Sequence, residues 1–126
     1  MKYLLDTHAI IWCIDKRNGK FSTTAEEIII DHQNIIYISS ASLWEIAIKI
    51  GLGKLDLSFE ILLRELENVG FIVLHTEPTY LRELINMPQI HKDPFDRLLI
   101  ATAKVEQMTL VTADENIHKY EIPWVW

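Results

Sequence analysis

The sequence predicts an α/β fold in which helices cover a mostly parallel sheet. Three observations predict it. Short apolar or β-branched runs alternate with segments of helical period, as in strand–helix–strand units. Capping and breaking residues stand between them, where helices start and stop. The composition, 126 residues with 49% apolar and 24% charged side chains, is that of one domain, residues 1–126, large enough to bury a core.

The elements follow in order. "KYLLD" (2–6) is a short apolar run before a change of pattern and reads as a buried strand, with "THAIIWCI" (7–14) as the helix behind it. "DKRNGK" (15–20) is a polar loop. Ser22, Thr23 and Thr24 offer caps for a helix to about His32, with Thr23 and Glu26 at capping-box spacing. "NIIYIS" (34–39) is the second strand; Ser40 or Ser42 caps the next helix, whose stripe is Leu43, Ile46, Ala47 and Ile50, and Gly51 or Gly53 ends it. Ser58 starts a helix with Phe59, Leu62, Leu63, Leu66 and Val69 on one face. "FIVLH" (71–75) is the third strand, and Thr76 caps a helix that carries Pro78 in its first turn and ends before Pro88. Asp93-Pro94 starts a helix to about Gln107, with Leu98, Ala101, Val105 and Met108 as its stripe. "TLVT" (109–112) is the fourth strand, 114–119 a helical turn, and "IPWVW" (122–126) an edge strand, because Pro123 has no N–H for a ladder.

Charge and composition exclude several function classes. The longest apolar runs, "AIIWCI" and "IIYI", fall far short of the roughly 20 residues of a membrane span. Asp6 interrupts any signal-peptide pattern and Cys13 is the one cysteine, so a cytoplasmic location is expected, with no disulfide framework or thiolate zinc site. A net charge of −6 argues against tight metal-free binding to nucleic acid. That objection weakens if several of the acids share one cation.

Four carboxylates from distant segments are expected on one sheet edge. Asp6 ends the first strand, Glu45 and Asp96 lie in the first turns of helices, and Asp114 follows the fourth strand. Ligands of open α/β sheets bind outside the strands' carboxyl ends, where strand order reverses. Singly, each acid is also explained as a helix cap or first-turn residue, and Asp93 reads as an N-cap. Jointly they need compensation, since two carboxylates 4 Å apart repel by about 4 kcal/mol at an effective dielectric of 20. A divalent cation supplies it, and oxygen-only ligands suit Mg²⁺ or Mn²⁺ better than zinc. The matching reaction class is metal-assisted phosphodiester hydrolysis.

"YLLDTHAIIW", "SLWEIAIKIGLGKL", "HKDPFDRLLIATA" and "LVTADENI" resemble the four acidic motifs of PIN-domain ribonucleases, most closely the VapC-type toxins of toxin–antitoxin pairs. The resemblance spans nearly the whole chain and keeps motif order. It implies a three-layer α/β/α sandwich, a five-stranded parallel sheet and a central first strand. It also implies a Mg²⁺- or Mn²⁺-dependent endoribonuclease acting on single-stranded RNA regions. Asp6, Glu45, Asp96 and Asp114 fall on the family's catalytic and metal-binding acids, and Thr112 on its hydroxyl position; Asp93 lies just outside that pattern. A homodimer and a small cognate antitoxin are implied as partners.

Two other readings compete. One keeps the fold and makes the acids caps in a protein-interaction module. The other is a metal-dependent phosphatase with Asp6 as nucleophile, but such haloacid-dehalogenase-like enzymes need a second aspartate where this chain has His8. His8 is a candidate to touch substrate or orient a carboxylate. Among the basic residues, Arg97 is the favoured phosphate contact, because it follows Asp96 at the expected rim. His91, near Asp93 and Asp96, is expected beside the site rather than as a ligand, since no histidine pair has metal-motif spacing. The four tryptophans are expected in the core or an interface.

Overall fold

A computed structural model describes residues 1–15 and 20–126. The polar loop expected over 15–20 therefore falls, at residues 16–19, outside the described residues. Five strands form one sheet: β1 (Lys2–Leu5), β2 (Ile35–Ser39), β3 (Ile72–Leu74), β4 (Thr109–Val111) and β5 (Trp124–Val125). All pair in parallel in the order β3-β2-β1-β4-β5, which makes β1 central. Seven helices among the described residues flank it: α1 (Thr7–Ile14), α2 (Thr23–Ile30), α3 (Ser40–Gly51), α4 (Phe59–Asn68), α5 (Pro78–Asn86), α6 (Pro94–Glu106) and α7 (Glu115–His118).

The three layers follow from the two-residue period of a strand. On β1, Tyr3 and Leu5 face one core with Ala9, Ile10, Ile46, Leu62 and Leu66 from α1, α3 and α4. Leu4, between them, faces the opposite core with Leu99, Ile100, Ala103 and Ile117 from α6 and α7. Each face of the sheet thus has its own hydrophobic layer. Parallel strands also end together, so β1, β2 and β4 deliver the chain to one edge, where strand order reverses about β1.

Several helix starts differ from the sequence expectation. Ser39 caps α3, its Oγ accepting from Ala41 N at 3.1 Å, so the helix begins directly at the strand's end. Neither Ser40 nor Ser42 is the cap, and Glu45 is the sixth residue of α3, in its second turn. The buried face also differs from the expected stripe: Ser42 and Glu45 are buried and Ala47 is exposed. Ser22 caps α2 through Ala25 N, displacing the Thr23–Glu26 box by one residue. Glu77, without a side-chain hydrogen bond, takes the place expected for Thr76. Val69 and Val105, expected on apolar stripes, are exposed. Gly70 closes α4 with φ +79°, donating to Glu67 O while Phe71 N reaches back to Leu66 O, a left-handed stop that suits glycine.

Candidate active site

The site grows from the end of β1. Asp6 N continues the ladder to Val111 O at 3.1 Å, and the side chain then starts α1, with Oδ1 accepting from Ala9 N at 2.8 Å. Oδ2 accepts from the Thr112 hydroxyl at 2.5 Å. Asp6 is 3% exposed. Burial pushes its carboxyl above the ordinary value and Asp114 adds to the push, while the Thr112 and Ala9 hydrogen bonds and His8 oppose it.

Thr112 joins the ends of β1 and β4. Its buried hydroxyl donates to Asp6 and accepts from Asp114 N at 3.1 Å. Its carbonyl accepts from His118 Nε2 at 2.8 Å, and that ring stacks on Trp124. Asp114 then caps α7, Oδ1 accepting from Asn116 N at 2.8 Å. Thr112 therefore sets both Asp6 and the turn that carries Asp114.

Glu45 approaches from α3. Oε1 accepts from the Thr7 hydroxyl at 2.7 Å, and Oε2 pairs with Lys49 at 3.1 Å, one turn on. Thr7 shares a further 3.1 Å hydrogen bond with Ser42. A glutamate as buried as Glu45 is held by charge-assisted partners on both oxygens.

Asp96 completes the set as the third residue of α6. Asp93 caps that helix, Oδ1 accepting from Asp96 N at 3.0 Å, with Pro94 at the first position. The Asp96 carboxyl is pushed up to about 8, chiefly by burial and then by the charges of Asp93, Asp114, Asp6 and Glu45. Carboxylates from four separate segments thus act on one another through space at the sheet edge. Among the described residues, no three His, Cys, Asp or Glu side chains are drawn together closely enough to hold an ion, a looser arrangement than the shared cation expected from the sequence would need. Each acid is instead turned toward a local partner: Asp6 to Ala9 and Thr112, Glu45 to Thr7 and Lys49, Asp114 to Asn116, and Asp96 to His91. An all-oxygen donor set carrying this mutual repulsion fits a hard divalent cation.

Two basic residues behave differently from one another. His8 is exposed and packs its ring against Trp12 at 5.7 Å. Arg97, expected at the rim as a phosphate contact, is buried, and its Nη1 donates to Pro88 O at 2.8 Å and Tyr120 Oη at 2.9 Å. Its position at the fourth residue of α6 turns it inward, away from solvent. Thr7, His91 and Tyr120 all touch the acids or their supports, and sequence reading assigned no role to Thr7 or Tyr120. The one available signal was that Thr7 follows Asp6 directly. Of the tryptophans, Trp12 and Trp126 pack into the α1 side of the core, while Trp44 is 64% exposed.

A family model described as a PIN domain matches residues 3–123. No curated protein matches the chain. Among solved structures, VapBC2 from Rickettsia felis, bound to a promoter DNA fragment, contains a chain of 20% identity and TM-score 0.74, with 100% of this chain and 99% of that chain covered. DNA-bound VapBC from Salmonella typhimurium gives 20% identity, TM-score 0.69 and coverages of 99% and 97%. A toxin–antitoxin complex from Klebsiella pneumoniae gives 16%, 0.64, 98% and 96%. At these identities the likeness is one of fold.

Proposed function

The chain belongs to the PIN-domain family, and on that premise we propose that it is a divalent-cation-dependent endoribonuclease that cuts single-stranded RNA regions as the toxin of a toxin–antitoxin pair. The observation that carries this reading is that Asp6, Glu45, Asp96 and Asp114, from four separate segments, meet at the edge of the sheet beside its central strand, close enough for their charges, with that of Asp93, to act on the buried Asp96 carboxyl. A fold that gathers such acids at a sheet's switch point is arranged around positive charge.

Asp6, Asp96, Asp114 and Glu45 would hold Mg²⁺ or Mn²⁺. Such an ion supplies charge for the scissile phosphate and acidity for an attacking water. The chain supplies the rest. Thr112 orients Asp6 and the Asp114 turn, and Thr7 and Lys49 orient Glu45. Trp44 and Phe95 each precede a site acid by one residue and meet edge-on at 5.3 Å. An exposed aromatic at that place suits stacking on an unpaired base, a contact tolerant of sequence.

The similar complexes above support a small antitoxin as partner. A homodimer is part of the same proposal. Among the described residues no helix is long and apolar enough to cross a membrane, and a cytoplasmic location is part of the same proposal. The interaction-module reading draws on one observation: Asp6, Asp93 and Asp114 are all helix caps.

The test is cleavage of end-labelled RNA by antitoxin-free protein. Cutting at unpaired positions is expected with Mg²⁺ or Mn²⁺ and is abolished by EDTA. No cutting with either ion, together with a melting temperature indifferent to both, selects the interaction module.

A further inference from the structure

Arg97, Tyr120, His91 and Asp96 form a hydrogen-bonded chain that leads from the interior to the acidic edge. Arg97 Nη1 donates to Tyr120 Oη at 2.9 Å, and Tyr120 Oη lies 2.8 Å from His91 Nδ1. His91 Nε2 lies 3.3 Å from Asp96 Oδ2. Arg97 and Tyr120 are 7% and 5% exposed, so water competes little for these groups. The imidazole is also wedged against the phenol, with ring centroids 5.4 Å apart at 68°.

The direction of the chain follows from counting protons. A phenol has one proton and accepts through its oxygen. That oxygen accepts from the guanidinium and, at 3.4 Å, from His91 N. Its own proton is then left for His91 Nδ1. With Nδ1 accepting, a neutral ring carries its proton on Nε2, facing Asp96. A charged ring has a proton there too, so the donor to Asp96 is present in either state.

We infer that His91 is a positioning residue for Asp96, aimed by Tyr120 and Arg97, whose N–H holds Oδ2 and leaves the carboxylate's other oxygen toward the cation. The inference rests on the proposed cation site. Carboxylates that ligate metals are themselves held by hydrogen bonds, and removing such a partner weakens metal affinity by about 10–100-fold. Arg97 thereby gains a role that its burial denies it at the surface, as the fixed start of the chain.

Calorimetric titration with Mn²⁺ on the full-length protein tests this. His91→Ala is expected to weaken binding about 10-fold or more, with the melting curve still cooperative. His91→Gln, whose amide N–H reaches toward the same oxygen, is expected to recover most of the affinity. Nitrogen-resolved NMR of the His91 ring, titrated to its neutral form, is expected to show the proton on Nε2, and Tyr120→Phe to mix the two tautomers. Wild-type affinity in a folded His91→Ala protein, or a ring proton on Nδ1, overturns the inference while leaving the nuclease reading in place. Mn²⁺ binding that follows the His91 series without any RNA cleavage overturns the nuclease reading and upholds the positioning role. A wild type that binds no Mn²⁺ overturns both.

Discussion

Asp6→Asn is expected to lower the rate of Mg²⁺-dependent RNA cleavage by about 10²–10³-fold while the fold persists, as measured on end-labelled RNA beside a thermal melt. The size is that of losing one group that stabilises transition-state charge. The fold persists because asparagine caps helices as well as aspartate does, so its carbonyl replaces Oδ1 at Ala9 N. The amide nitrogen then faces Thr112 Oγ1, which already accepts from Asp114 N. A hydroxyl accepts twice, and what is lost is a partner for its buried proton, a cost of about 1–3 kcal/mol. Against that, the variant no longer buries a charge that burial itself disfavours. Activity and stability should therefore separate, and a variant that unfolds would show that the Asp6–Thr112 link is chiefly structural.

The second large effect concerns pH. With the Asp96 carboxyl at about 8 in the folded chain and 3.8 as its ordinary value, the metal-free native state holds a proton between those values that the unfolded chain has released. Stability then falls as pH rises through that window, because the native state binds more protons than the unfolded one. Burial raises Asp6 in the same direction. The metal-free protein is expected to melt several degrees lower at pH 8 than at pH 5.5. The site is partly solvated, so the fall is smaller than an isolated buried charge would give. Asp96→Asn should flatten the dependence and raise the melting temperature at pH 8. Mn²⁺ added to wild type at pH 8 should raise it too, by binding the native state alone. The difference between wild type and Asp96→Asn is the diagnostic, since it cancels groups that titrate elsewhere. Equal slopes in both would mean that Asp96 keeps an ordinary carboxyl.

The fold was legible where local chemistry is strong. Alternating apolar runs located all five strands, and Asp93-Pro94 marked the start of α6 at the observed cap. Helix starts were less legible where two hydroxyls compete, as at Ser39, Ser40 and Ser42, because the choice depends on where the preceding strand leaves the sheet. That difference of one to three residues puts Glu45 in the second turn rather than the first, where its carboxylate meets Thr7. Asp6, Asp96 and Asp114 stand out because each lies at a strand's end or a helix's start. Their supports do not. Thr7 and Tyr120 are ordinary residues whose importance comes from contacts 38 residues away for Thr7 with Glu45 and 29 for Tyr120 with His91. Arg97 was misjudged for a related reason: its place beside Asp96 in the chain puts it on a neighbouring helix face, which is buried.

Diffraction from Mn²⁺-soaked crystals at the manganese edge tests the central claim most directly. The account predicts an anomalous peak enclosed by the carboxylates of Asp6, Asp96 and Asp114, with Glu45 alongside, and its loss in Asp6→Asn. Active, RNA-cutting protein with no peak among those four residues, or with a peak elsewhere, would contradict it.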